Sequence, residues 1–113
     1  MKILFYPREK CKYGMAVLTD DVTFLEIFST RYGCSEIPYE GEQETLTQTR
    51  LTELCKEIEE RVGKKTVVFY YDSQERKAYS YEPMTNAAQV TDFSSEQNFK
   101  PIQLMENLLY TSL

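Results

Sequence analysis

The sequence contains no histidine. That absence removes the Ser-His-Asp and Cys-His nucleophilic sets, the imidazole metal ligands, and the side chain most readily poised near neutral pH. Carboxylate, lysine and tyrosine chemistry stay open. Glycine is sparse: Gly14, Gly33, Gly41 and Gly63 stand singly at apparent turns, and the chain has neither a GxxxxGK[ST] phosphate loop nor a GxGxxG turn. The three cysteines, Cys11, Cys34 and Cys55, are odd in number and form no CxxC pair, which argues against a disulfide framework or a zinc ribbon. No metal or cofactor motif is present. No apolar run approaches the ~20 residues that a membrane span requires. The opening MKILFY is cut short by Pro7 and a charged loop, so it reads as a first strand rather than a secretory leader. A cytoplasmic protein with no membrane partner is therefore expected.

What is present starts with a helix running into a strand. In TLTQTRLTELCKEIEERVGKKTVVFYY, residues 45–71, the apolar positions Leu51, Leu54, Cys55, Ile58 and Val62 form a single stripe at helical spacing. Thr45 and Gln48 fit a capping box, Gly63 suits a left-handed closing position, and Lys64 and Lys65 complement the carbonyl end of the dipole. Glu57 with Arg61 and Glu60 with Lys64 have the spacing of stabilising pairs. The run that follows, 66–71, is β-branched and aromatic without a polar break, as expected of a central strand covered on both faces.

A chain of 113 residues has room for one domain, taken as 1–113. Residues 2–6 and 15–18 read as a first hairpin across the basic loop PREKCKYG. A helix follows, capped by Thr19, Asp20 or Asp21. Its face is defined by Val22, Leu25, Phe28 and Tyr32, widened by Phe24 and Ile27, and it ends near Arg31 and Gly33. Segment 34–44 is an acidic connector broken by Pro38, where Ile37 and Tyr39 suit a short edge segment. A turn at 72–76 leads into the alternating KAYSYE at 77–82, giving a second hairpin, and 83–100 is polar and irregular. Pro101 opens a terminal helix whose buried side is Ile102, Met105, Leu108 and Leu109. The expected fold is α+β, order ββααββα, with a mainly antiparallel four-stranded sheet and three helices largely on one side.

Charge is the clearest pointer to function. Between Glu36 and Glu60 stand eight acids (Glu36, Glu40, Glu42, Glu44, Glu53, Glu57, Glu59, Glu60) against Arg50 and Lys56, a net of −6 that leaves the rest of the chain at +1. Such an imbalance speaks to partners and encounter rates rather than to fold, and it argues against general nucleic-acid binding. A solvated helix face is the plainer explanation of these glutamates. Asp20, Asp21 and Asp72 follow strands and are candidate acid/base or metal carboxylates, although capping and turn formation account for them. Tyr70, Tyr71, Tyr79 and Tyr81 lie on one predicted hairpin and suit either a recognition surface or a packed core.

Two functional readings follow. The first is a non-enzymatic protein-binding module, a small acidic inhibitor or regulator acting as a nucleic-acid mimic toward a basic partner. Its contact residues would be Glu40, Glu42, Glu44, Glu53, Glu57, Glu60, Tyr79 and Tyr81. The second is a small-ligand or nucleotide-binding domain, compatible with a homodimer, with weak hydrolytic chemistry from Asp20, Asp21, Asp72 or a tyrosine.

Overall fold

A strand whose successive side chains are all apolar has to be covered twice. In the computed structural model, which describes residues 2–38, 47–85, 87–92, 95 and 100–111, β4 (Thr66–Asp72) does lie mid-sheet and is buried along its whole length. The other elements are β1 (Lys2–Tyr6), β2 (Gly14–Thr19), α1 (Val22–Arg31), β3 (Ser35–Ile37), α2 (Gln48–Val62), β5 (Lys77–Glu82), β6 (Ala87–Asp92) and α3 (Pro101–Thr111). They make an α+β fold with one six-stranded sheet in the order β3-β1-β2-β4-β5-β6.

Three expectations are corrected. The sheet has six strands, because β3 and β6 add to its edges. β3 is three residues long, and β6 (AAQVTD) is mostly exposed; each is held by its ladder to one neighbour, so neither carries a strong pattern of its own. The sheet is mixed, because β2 and β4 pair in parallel, in register from Gly14 with Thr66 to Thr19 with Tyr71. The connection between these two strands carries α1, β3 and α2, the long crossover that parallel neighbours need.

The helices also cover both faces. Val68 and Tyr70 point to the side of α2, where Leu51, Leu54, Cys55 and Ile58 pack with Ile3, Leu18, Tyr79 and Tyr81. Val67, Phe69 and Tyr71 point to the side of α1 and α3, among Phe24, Phe28, Met105 and Leu109. With period-two alternation, an apolar run of this kind requires both layers.

Local signals set the helix ends. The α2 cap is Thr47, whose hydroxyl accepts the Arg50 amide at 3.1 Å, rather than Thr45, which lies outside the described residues. Gly63 closes the helix at φ 71°, as the sequence indicates. The expected pairs at its end do not form: Arg61 donates to the Pro38 carbonyl at 3.1 Å, and Lys64 donates to the Pro7 and Arg8 carbonyls at 2.8 and 3.0 Å. Lys64 thereby ties down the loop between β1 and β2. In α1 the buried centre is Phe24 and Phe28, while Val22 is 65% exposed, which rotates the packed face away from the one expected. The end of α3 is met by the Arg8 guanidinium, which donates to the Leu109 carbonyl at 3.2 Å. Gly14 is required by packing: a Cβ there would lie 2.7 Å from Phe5 Cε2.

Candidate functional site

The inner stripe of α2 is anchored in the core, and this fixes which side chains face outward. Glu53 and Glu57 are about two-thirds exposed, Glu60 is exposed, and the spacing of the three puts them on the outer side of the helix. Arg50 approaches both Glu53 and Glu57, at 3.4 and 3.5 Å. Glu59 behaves differently. Its side chain is only 9% exposed, accepts the Thr66 amide at 3.2 Å and lies 3.9 Å from the Lys65 ammonium. It also hydrogen-bonds the Tyr81 hydroxyl; burial raises that phenol above its ordinary value, and the Glu59 carboxylate adds to the effect. Glu59 is thus a tie between α2 and the sheet. Arg50, Lys56 and Arg61 stand among the four glutamates of α2, so the helix itself is only slightly acidic. Glu40, Glu42 and Glu44 lie outside the described residues.

Tyr79 and Tyr81 are corrected as contact residues. They are 7% and 0% exposed, and the Tyr79 ring stacks on Tyr70 with centroids 5.1 Å apart. β5 is not an edge, because β6 pairs beyond it, and its odd-numbered side chains lie beneath α2.

A second acidic locus arises from topology. Because β2 and β4 are parallel, their carboxyl ends bring Asp20, Asp21 and Asp72 to one end of the sheet, where ligands of α/β proteins often gather. Each carboxylate already has structural partners. Asp20 accepts from the Ser73 amide at 2.9 Å and from its hydroxyl at 2.6 Å; Asp21 caps α1 through the Phe24 amide at 3.1 Å. Asp72 accepts the Gln74 and Glu75 amides at 2.9 and 3.2 Å, shaping the β4–β5 turn. Beside them, burial raises the Tyr71 phenol above its usual value; the Arg76 guanidinium opposes the shift, and Asp21 and Asp20 reinforce it. Among the described residues no group of three cysteines or carboxylates is arranged to hold a metal.

A cleft of about 490 Å³ between α1 and α3 has no counterpart in any sequence pattern. Ile27 and Ile102 contribute apolar surface above the buried Phe24 ring, and Asp21, Arg31, Lys100 and Glu106 contribute charge. Arg31 and Glu106 form an ion pair across it. Arg31 reads in the sequence only as a helix end, and nothing in the spacing links it to residues 75 positions away. A smaller cavity of about 360 Å³ lies at the β1–β2 loop and includes half-buried Cys11. Cys34 is also half-buried, with its thiol pKa raised by burial; Cys55 is fully buried, its thiol pushed far up chiefly by the same cause.

Comparison of the chain with protein-family models, with curated proteins and with solved structures finds no match in any of the three. No helix among the described residues is long and apolar enough to cross a membrane.

Proposed function

We propose that the protein is a non-enzymatic protein-binding module, an acidic inhibitor or regulator that docks a basic partner through the outer face of α2. The observation that carries this reading is the exposure of Glu53, Glu57 and Glu60 together on one side of a helix whose inner stripe is locked into the core. Such a helix presents its charges from a fixed base, so little ordering is required on binding. The contacts of Glu53 and Glu57 with Arg50 are exposed and long, of a kind worth about 0–1 kcal/mol, so a partner's lysine or arginine can displace Arg50 at small cost. Glu40, Glu42 and Glu44 precede α2 in the chain and add three further negative charges to the sequence there. The carboxylates at the strand ends suit catalysis less well, since each holds a cap or a turn.

The test is capture of partners from a host lysate at low and high salt, comparing the native chain with the triple variant Glu53→Lys, Glu57→Lys, Glu60→Lys. The expected outcome is capture that weakens with salt for the native chain and is lost in the variant. Equal capture by both chains overturns the proposal.

A further inference from the structure

The carboxyl ends of α1, α2 and α3 converge on the basic loop between β1 and β2. Tyr32, just past α1, stacks on Tyr6 at the end of β1 with ring centroids 5.2 Å apart. Lys64, just past the Gly63 that closes α2, reaches the Pro7 and Arg8 carbonyls, and the Leu109 carbonyl near the end of α3 accepts from Arg8. Helix carboxyl ends carry unpaired carbonyls and partial negative charge, which a basic loop answers. Arg8 sits at the centre of these contacts.

This residue is 5% exposed and engaged at both ends. Its guanidinium donates to the Leu109 carbonyl at 3.2 Å. Its own carbonyl accepts the Cys11 amide at 2.8 Å and the Lys64 ammonium at 3.0 Å, and Lys64 donates to the neighbouring Pro7 carbonyl at 2.8 Å. Between these anchors the backbone of Arg8 has φ 50°, in the left-handed region that a residue with a Cβ enters at a cost. Such a conformation persists where its surroundings over-determine it. With the Lys64 bonds removed, Arg8 relaxes toward ordinary φ and its guanidinium is drawn off Leu109. The last turn of α3 then opens readily, because Tyr110, beside the fastened residue, is 69% exposed.

We propose that Arg8 is a latch that couples the two faces of the sheet: Lys64 holds it in its left-handed conformation from the end of α2, and in that conformation it fastens the last turn of α3. α2 packs on one face and α3 on the other, so loosening at the end of α2 reaches α3 around the rim of the sheet rather than through the core. The coupling is read from the loop alone and does not depend on a partner docking at the outer face of α2.

The experiment is hydrogen exchange of the full chain, followed amide by amide by NMR, in Lys64→Met, Arg8→Gly and the double variant. Arg8→Gly removes the guanidinium while glycine tolerates the left-handed backbone. Each single variant should speed exchange at residues 107–111 about tenfold, equivalent to about 1.4 kcal/mol, and leave residues 51–58 and 68–71 at native rates. The double variant should match Arg8→Gly alone, since without the guanidinium Lys64 has nothing to transmit. Lys64 is half-buried at the rim, so Lys64→Met decides the matter even where Arg8→Gly does not fold. Native exchange at residues 107–111 in Lys64→Met, equal acceleration of all segments, or effects that multiply in the double variant would each overturn the proposal.

Discussion

The two faces of the sheet are covered in different ways, and each leaves a different surface outside. On one face the single fifteen-residue helix α2 lays a narrow stripe of Leu51, Leu54, Cys55 and Ile58 onto tyrosines and aliphatics, and Glu59 pins it to β4 and β5. On the other, α1 and α3, of ten and eleven residues, divide the work. Phe24 stacks on Phe69 and Tyr71, and the Phe28 ring packs at a tilt against Tyr32, but the seam between the helices stays open as a cleft. One helix with a clean stripe turns Glu53, Glu57 and Glu60 to solvent, and the proposed docking rests on that face. Two helices sharing a face leave a concave space between them.

The comparison can be broken most severely through the core. Phe69→Ala on the α1/α3 side should cost about 3–5 kcal/mol, and Leu51→Ala on the α2 side about 2–5 kcal/mol, because both are fully buried. Urea denaturation would read both. A cost below about 1 kcal/mol for either would mean that its face is not packed as described. A smaller effect is expected for Gly14→Ala, whose added methyl would crowd the Phe5 ring at 2.7 Å: about 1–3 kcal/mol, partly recovered by adding Phe5→Leu. If the two changes were simply additive, the Gly14–Phe5 contact would not be the cause.

Alkali should sharpen the comparison further. Tyr71 on one face and Tyr81 and Cys55 on the other have raised pKa values, dominated by burial, so the native state keeps protons that the unfolded chain gives up. Their contribution is fully present below the ordinary values of 9.0 for the thiol and 10.0 for the phenols, and it is lost as pH climbs past them. Stability by chemical denaturation should therefore drop above these values, and Tyr81→Phe should make the fall shallower. An unchanged slope in that variant would remove Tyr81 from the account. The smallest effect belongs to Arg50→Ala. It should change stability by no more than about 0.5 kcal/mol, since its ion pairs are exposed, yet it should tighten binding to a basic partner by freeing Glu53 and Glu57.

Much of α2, β4 and the start of α3 is legible because each is locally consistent. The stripe of α2 ends at a glycine that adopts the left-handed conformation, the run from Thr66 to Tyr71 is apolar on both sides, and Pro101 opens its helix. The expected architecture fails where the information is not local. Nothing in GMAVLT states that its second neighbour is parallel, and AAQVTD becomes a strand only through pairing with β5. An unbroken apolar run at β4 already calls for cover on both faces, so placing all the helices largely on one side conflicts with that signal. Tyr79 and Tyr81 alternate as an exposed strand would, but their surroundings depend on β6 lying beyond them. For the candidate site, counting acids along the chain finds Glu53, Glu57 and Glu60. It overlooks the inward turn of Glu59 and the meeting of Asp20 with Ser73 across a parallel pair. The cleft was illegible because Arg31, Lys100 and Glu106 converge only once α1 and α3 lie side by side.

The central claim, that the outer face of α2 is where a basic partner docks, is met most directly by titrating the ¹⁵N-labelled chain with a short lysine-rich peptide and following amide shifts at two salt concentrations. The account predicts shifts centred on Arg50, Glu53, Glu57 and Glu60 that shrink as salt rises. Shifts centred instead on Asp20, Asp72 and Glu75 at the strand ends, or an α2 that does not respond at low salt, would contradict it.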